Sequence, residues 1–155
     1  MASADIAPAG FRVLPADDAF WRPSNQMKVL NTDLAQQLEA KSFGARLWRL
    51  GPGQASTKHR HFAQQEIYVV LEGTGRVRVD DAEPLSLAPL DTLLVEPGST
   101  RQLFNDTEAD TLWLVFGAPP EAANTLEMTA EQLASLYPDG PRALPPELGQ
   151  APAKG

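Results

Sequence analysis

The only two histidines of this 155-residue chain, His59 and His61, stand two positions apart. An extended backbone sends residues i and i+2 to the same face of a strand, so both imidazoles can meet one cation. Glu66 lies five residues beyond His61, across a segment whose length suits a tight turn. Such a turn brings the carboxylate, at the start of the next strand, alongside the two imidazoles. The spacing therefore predicts a group of two histidines and one carboxylate of the kind that binds a divalent metal ion.

The elements that must position this group follow a period-two pattern. Between residues 43 and 117, short runs rich in Val, Leu, Phe, Tyr or Trp alternate with turn signals such as Pro97-Gly98. The runs recur about every ten residues without helices between them, which predicts an antiparallel all-β sandwich or barrel. The predicted strands are 45–50, 66–72, 75–80, 84–87, 92–96, 100–105 and 111–117. Gly73-Thr74-Gly75 is interpreted as a hairpin turn between two strands rather than as a nucleotide-binding loop.

The segments on either side of this core carry helix signals. Upstream, residues 31–38 offer capping residues followed by good helix formers, and downstream Thr129 and Gln132 fit a capping box. A chain of this length predicts one domain over residues 1–155. Its barrel core is expected at residues 43–117, with short helical or irregular flanks at 1–42 and 118–155.

Composition excludes several classes of function. Acidic residues outnumber Lys and Arg by 20 to 13, which gives a net charge of -7 and argues against nucleic acid or an anionic membrane as a partner. The absence of cysteine excludes a disulfide scaffold, a thiolate zinc site and a cysteine nucleophile. The sequence has neither a recognisable secretion signal nor a long apolar span, so a cytoplasmic location is expected.

The residues around the two histidines resemble the first sequence motif of the cupin superfamily. That motif is matched, position by position, by the run Gly53-x5-His59-x-His61-x4-Glu66-x6-Gly73. The resemblance extends over residues 45–116 and implies a small cupin β-barrel (a double-stranded β-helix or jelly roll) that is open at one end, with metal and ligand inside. It also implies that His59, His61 and Glu66 are metal ligands and that the chain forms a homodimer.

The second motif of the family, G-x5-P-x-G-x2-H-x3-N, is matched only in part. Gly98 and Asn105 hold the places of its last glycine and its asparagine. Pro97 is shifted from the place of the proline, and Leu90 replaces the first glycine. Arg101 stands where the family has its third histidine ligand, so the resemblance leaves two histidines and one glutamate as the ligand set.

Arg101 cannot bind a metal, because its guanidinium stays protonated. Two interpretations remain open. In the first, two histidines and one carboxylate retain the ion as a complete facial triad, and Arg101 holds the carboxylate or phosphate of an acidic substrate by a two-point hydrogen bond. In the second, Arg101 forms an ion pair with Glu66 and replaces the metal.

Each interpretation implies a different function. The first describes a metal-dependent enzyme, of the dioxygenase or isomerase type, acting on a small acidic molecule inside the barrel. The second describes a non-catalytic cupin that binds a small ligand. Arg101, Tyr68, Gln102 and Asn105 are predicted to contact the substrate or ligand, and no catalytic residue is assigned. Histidine and carboxylate ligands suit Fe, Mn, Zn, Ni and Cu alike, so the identity of the divalent metal ion stays open.

Overall fold

The computed structural model describes residues 10–122 and 124–149, and within them nine antiparallel strands form two sheets. Residues 1–9, 123 and 150–155, which belong to the predicted flanks, lie outside the described part. The strands are β1 (Arg22–Pro23), β2 (Leu30–Asp33), β3 (Gly44–Leu50), β4 (Gln65–Glu72), β5 (Gly75–Val79), β6 (Leu85–Leu87), β7 (Thr92–Val95), β8 (Arg101–Phe104) and β9 (Thr111–Ala118). The helices are α1 (Leu34–Gln37), α2 (Ala130–Leu136) and α3 (Pro146–Gly149), with single 3-10 turns at Ala16–Asp18 and Thr125–Glu127.

The larger sheet has the strand order β1-β2-β3-β9-β4-β7, and the smaller sheet has the order β6-β5-β8. Every strand pairing is antiparallel. The predicted all-β fold class is therefore confirmed. All seven predicted strands are present, and no end differs from the prediction by more than one residue.

One core fills the space between the sheets. Leu50, Val70 and Trp113 of the larger sheet pack together with Val77 and Leu103 of the smaller sheet, and all five are buried. The period-two alternation produces this core, because successive side chains of a strand point to opposite faces of its sheet. On β4, the same alternation carries Glu66 and Tyr68 into the interior beside Val70.

The segment Gly73-Thr74-Gly75 is a turn, but the prediction of a hairpin is wrong. β4 pairs with β7 and β9, whereas β5 pairs with β6 and β8, so the turn carries the chain from one sheet to the other. Gly73 has φ +75°, a backbone conformation that glycine adopts without a steric penalty. A Cβ atom on Gly75 would collide with Val70 and with the ring of Trp113. The turn between the sheets therefore requires glycine at position 73 for its backbone conformation and at position 75 for lack of space.

The upstream flank contributes two strands, β1 and β2, as well as the predicted helix. Asp33 caps α1 by accepting a hydrogen bond from the backbone N–H of Gln36, but Asn31 and Thr32 belong to β2 and pair with β3. Hydrophobic alternation did not predict β2, because its two buried residues are polar. The Asn31 side chain donates to the carbonyl of Val29 and accepts from Arg46, which makes its burial tolerable.

The downstream helix forms as predicted. The Thr129 hydroxyl accepts from the backbone N–H of Gln132, and the Gln132 side chain accepts from the backbone N–H of Thr129, which is a complete capping box at the start of α2. Across the described parts of the chain, no helix combines the length and the apolar character that crossing a membrane requires.

Candidate metal centre

His59 and His61 lie in an extended segment between β3 and β4 that runs beside the start of β8. The backbone N–H of His59 donates to the carbonyl of Arg101 at 3.0 Å, and the N–H of Arg101 donates back to His59 at 2.8 Å. The N–H of His61 donates to the carbonyl of Pro97 at 2.9 Å. These hydrogen bonds hold the segment extended, and the two imidazole centroids lie 5.0 Å apart.

The three side chains that the spacing predicts to converge do converge. Nε2 of His61 lies 3.1 Å from Oε1 of Glu66, and Nε2 of His59 lies 4.0 Å from the same oxygen. One ligand atom from each of the three residues falls within 4.8 Å of the others. Tyr68 donates its hydroxyl proton to Oε1 of Glu66 at 2.6 Å, which holds the carboxylate in place from the core side.

A second carboxylate, that of Glu121, faces the other nitrogen of His61. Its Oε1 lies 3.2 Å from Nδ1 of His61, on the opposite side of the ring from Glu66. Glu121 follows β9 and lies 60 residues beyond His61. Sequence reasoning missed this residue, because no motif or local spacing connects it to the histidines.

The donor set of this group fits a cation. Ionised carboxylates only accept hydrogen bonds, whereas a neutral imidazole carries a single N–H. With Glu121 on Nδ1 and Glu66 on Nε2, one N–H cannot serve both sides of His61. A proton or a metal ion between Nε2 of His61 and Glu66 would let the single N–H donate to Glu121, so that both sides of the ring have a partner.

The local environment keeps Glu66 ionised. Burial by itself raises the pKa of a carboxyl group, but the hydrogen bond from His61, the charges of His59 and His61 and the hydrogen bond from Tyr68 outweigh burial. Together they lower the pKa of Glu66 to about 2. Glu66 is therefore an anion at every physiological pH.

The imidazole of His59 is kept neutral by its surroundings. Burial is the main cause that lowers its pKa, the charge of Glu66 opposes this effect, and His61 and Arg101 lower the pKa further, to about 4. A neutral imidazole with a free lone pair is the form that binds a metal ion. His59 thus needs no deprotonation at neutral pH before it can act as a ligand.

Arg101 lies beneath this group and does not face the cavity. Its side chain is 0% exposed, and its Nε lies 3.8 Å from Oε1 of Glu66. One Nη donates to the carbonyl of Glu96 at 3.0 Å, whereas Nε and Nη1 have no hydrogen-bond acceptor among the described residues. The guanidinium is therefore placed to balance the charge of Glu66 from below rather than to clamp an acidic group in the cavity.

Of the other predicted ligand contacts, only Tyr68 lines the cavity. The Gln102 amide donates to the carbonyls of Ser56 and Ala143, and the Asn105 amide donates to those of Leu50 and Ala109. Both amides are buried and serve to join loops of the fold. The structure therefore does not bring Gln102 and Asn105 to the metal centre, because their side chains point to neighbouring backbone.

A cavity of about 1030 Å³ opens above the group and is lined by His59, His61, Glu66, Trp48 and Tyr137, among others. Tyr137 comes from the C-terminal end of α2 and lies with its ring centroid 6.2 Å from that of His59. The backbone N–H and Nε of Arg60 donate to the carbonyls of Leu136 and Ser135, at 2.9 Å and 2.7 Å. The downstream flank is thereby fastened beside the histidines and forms part of the cavity wall.

The sequence and the structure of this chain were compared with those of known proteins. The model of the cupin domain family matches residues 46–117. A cupin-superfamily protein of Silicibacter pomeroyi described as a sugar phosphate isomerase is similar in structure, with a TM-score of 0.64 and 26% identity over 70% of this chain and 76% of that one. This chain belongs to the cupin superfamily.

Two further cupin-fold structures resemble it at lower identity. A predicted oxalate decarboxylase of Thermotoga maritima has a TM-score of 0.61 and 20% identity, over 70% of this cupin and 100% of that chain. A cupin 2 conserved barrel domain protein of Salinispora arenicola has a TM-score of 0.59 and 22% identity, over 72% and 91%. No curated protein matches this cupin. These two neighbours support the fold and carry no information on the reaction.

The displaced pKa of His59 predicts the acid sensitivity of the metal-free protein. In the native state this cupin binds a proton at His59 only near pH 4, whereas the unfolded chain does so at about 6.5. The unfolded state therefore binds more protons between these values, and stability falls as the pH falls from 6.5 to 4. We expect His59→Asn to flatten the decrease of Tm in this window, measured by thermal unfolding in chelator.

The contribution of Glu66 lies in a lower window, because its pKa is lowered from 4.5 to about 2. The stabilisation that Glu66 provides is present above pH 4.5 and is lost as the pH falls toward 2.

The prediction for His59 has a clear contrary outcome. If the Tm of the wild type and that of His59→Asn fall by the same amount between pH 6.5 and 4, the acid sensitivity in this range does not come from His59.

Proposed function

We propose that this cupin is a metal-dependent enzyme of the isomerase type that acts on a small acidic molecule. The observation that carries the proposal is the convergence of His59, His61 and Glu66, whose ligand atoms lie within 4.8 Å of one another at the floor of a cavity. The neutral form of His59 and the ionised form of Glu66 are the forms that bind a divalent ion.

A divalent ion held by these three residues would polarise a substrate oxygen as a Lewis acid. Other residues of the cavity would orient the ligands and enclose the substrate. Tyr68 orients Glu66, Trp48 and Tyr137 provide apolar walls that exclude water, and the cavity is large enough for a small metabolite-sized molecule.

The cavity also carries groups that suit an acidic, hydroxyl-bearing substrate. Four carboxylates also line the wall, and one of them, Asp33, pairs with Arg46 at 2.9 Å. The cationic side chains and amides of the wall are Arg22, Lys41, Arg46, Arg60, Gln26 and Gln64. Cations attract a carboxylate or a phosphate, and amides both donate to and accept from hydroxyl groups. The similarity to a structure described as a sugar phosphate isomerase supports the isomerase type over the dioxygenase type.

A second candidate function is favoured by one observation, the position of Arg101. Its buried guanidinium lies 3.8 Å from Glu66 and neutralises part of the charge that a metal ion would otherwise balance. If this pair replaces the ion, the protein is a non-catalytic cupin that binds a small ligand in the same cavity. Metal content separates the two candidates.

The proposed metal site predicts the metal content of the purified protein. We expect elemental analysis of wild-type protein, purified without chelator, to find close to one equivalent of a single divalent metal. The His59→Ala, His61→Ala double variant is expected to lose it, because two of the three ligands are gone. Glu147→Gln serves as a matched control, since Glu147 is a half-buried carboxylate paired with Arg78 outside the site. A metal-free wild type would support the second candidate instead.

Arg101 predicts a gain of metal affinity on substitution. Arg101→His removes a buried cation close to the ion and adds a possible ligand, so we expect the affinity for Co²⁺ to rise by about tenfold or more. Arg101→Met removes the charge without adding a ligand and separates the two effects. Titration followed by visible absorption measures both variants. Unchanged affinity in both would contradict the placement of Arg101 beside the ion.

We also propose that a second copy of this cupin covers the outer face of the larger sheet. A row of apolar residues crosses four strands there, formed by Ala45, Phe116, Ile67 and Leu94 in register. Phe116 is 40% exposed and Leu94 is 53% exposed. Alternation on β9 turns Phe116 outward, away from the core. Contiguous exposed apolar surface of this kind is typical of an interface.

This interface predicts the mass in solution. The wild type is expected to sediment at twice the 16.8 kDa mass of the chain, and Phe116→Lys at the mass of one chain, because the substitution places a charge in the apolar row. Leu144→Lys is the control, since Leu144 is also exposed but lies in the segment that contacts β8. A wild type that sediments at 16.8 kDa would overturn the dimer.

A further inference from the structure

Glu121 joins the loop between two of the proposed metal ligands at four points. Its Oε1 faces Nδ1 of His61 at 3.2 Å and accepts from the backbone N–H of Phe62 at 3.1 Å. Its Oε2 accepts from the backbone N–H groups of Ala63 and Gln64, at 2.5 Å and 2.7 Å. One carboxylate from the segment that follows β9 therefore contacts four consecutive residues of the loop.

These contacts use both oxygens of the Glu121 carboxylate fully. Each oxygen faces two donors, and the side chain is only 14% exposed. The loop that it holds leads directly into β4, whose second residue is Glu66, so the carboxylate affects the separation between His61 and Glu66. A displacement of this loop would pull Nε2 of His61 away from Oε1 of Glu66, which now lie 3.1 Å apart.

The same carboxylate bears on which ring nitrogen of His61 carries the proton. Ionised carboxylates only accept, so the single N–H of a neutral His61 serves either Glu121 through Nδ1 or Glu66 through Nε2. With the N–H on Nδ1, the Nε2 lone pair faces the point where the ligand atoms converge, and a divalent ion there would contact both this lone pair and the carboxylate of Glu66. Histidines that bind metals commonly donate their other N–H to a carboxylate, which fixes the tautomer and raises the basicity of the ligating nitrogen.

We propose that Glu121 is a positioning residue of the metal centre, which orients His61 through Nδ1 and holds the ligand loop in the geometry that binds a divalent ion. This role rests on the proposed metal-dependent function. Glu121 belongs to the downstream flank, so the proposal places part of the site outside residues 46–117, which match the cupin domain family.

The test compares Glu121→Gln with Glu147→Gln. A glutamine side chain has one acceptor oxygen for the four donors, so at least two of them lose their acceptor. Glu147 is a matched control, because it is a similarly buried carboxylate in an ion pair with Arg78, away from the histidines. Titration with Co²⁺ measures metal affinity, and NMR of the metal-free protein follows the hydrogen-bonded Nδ1–H proton of His61, assigned with His59→Asn.

We expect Glu121→Gln to weaken Co²⁺ binding by about 10- to 100-fold and to shift or abolish the Nδ1–H signal. Glu147→Gln is expected to leave both unchanged, even if its Tm falls. If Glu121→Gln does not fold, Glu121→Asp takes its place, with a smaller loss of affinity expected because the shorter carboxylate reaches fewer donors.

Two results would overturn the proposal. If Glu121→Gln binds Co²⁺ with an affinity within about twofold of the wild type and its Nδ1–H signal is unchanged, Glu121 only holds the loop backbone and does not position His61. A signal that is absent from the wild type would show that Glu121 does not hold the Nδ1 proton. If the wild type binds no Co²⁺, the proposed metal function fails, and the NMR comparison still decides whether Glu121 orients His61.

Discussion

Glu66 is a carboxylate in the interior of the barrel, and its charge has to be balanced there. The two imidazoles, the hydroxyl of Tyr68 and the guanidinium of Arg101 all surround its Oε1, at distances from 2.6 to 4.0 Å. The two imidazoles and the hydroxyl of Tyr68 hold the pKa of Glu66 at about 2 in spite of its burial. A buried charge is tolerated only when it is paired and hydrogen-bonded, so the site is built around this one anion.

The fold provides these partners from separate elements. Glu66 and Tyr68 share the inner face of β4, whereas the histidines lie in the extended segment that bonds to the start of β8. Arg101 begins β8, and its position beneath Glu66 follows from the paired backbone hydrogen bonds that it exchanges with His59. The site therefore depends on the contact between the ligand segment and the smaller sheet, which brings together residues from both sheets of the fold.

Arg101 is the feature that distinguishes this cupin from the pattern that its motif resembles. A buried cation beside Glu66 weakens the attraction of the site for a second cation, while it also stabilises the ionised carboxylate when no metal is bound. The carboxylate of Glu121 works in the opposite direction, because it adds negative charge on the far side of His61. In the proposed metal site, the balance between these two groups would set how strongly an ion is bound.

Much of the fold and the core of the site follow from the sequence alone, because both are encoded by local spacing. The alternation of apolar residues determined the seven central strands, and the separation of His59, His61 and Glu66 determined that their side chains meet. Contacts between distant parts of the chain were decided only by the tertiary structure. These contacts placed Glu121 against His61, turned Gln102 and Asn105 toward backbone carbonyls, and buried Arg101 beneath the carboxylate. No local pattern specifies such pairings, since they depend on how sheets and flanks pack.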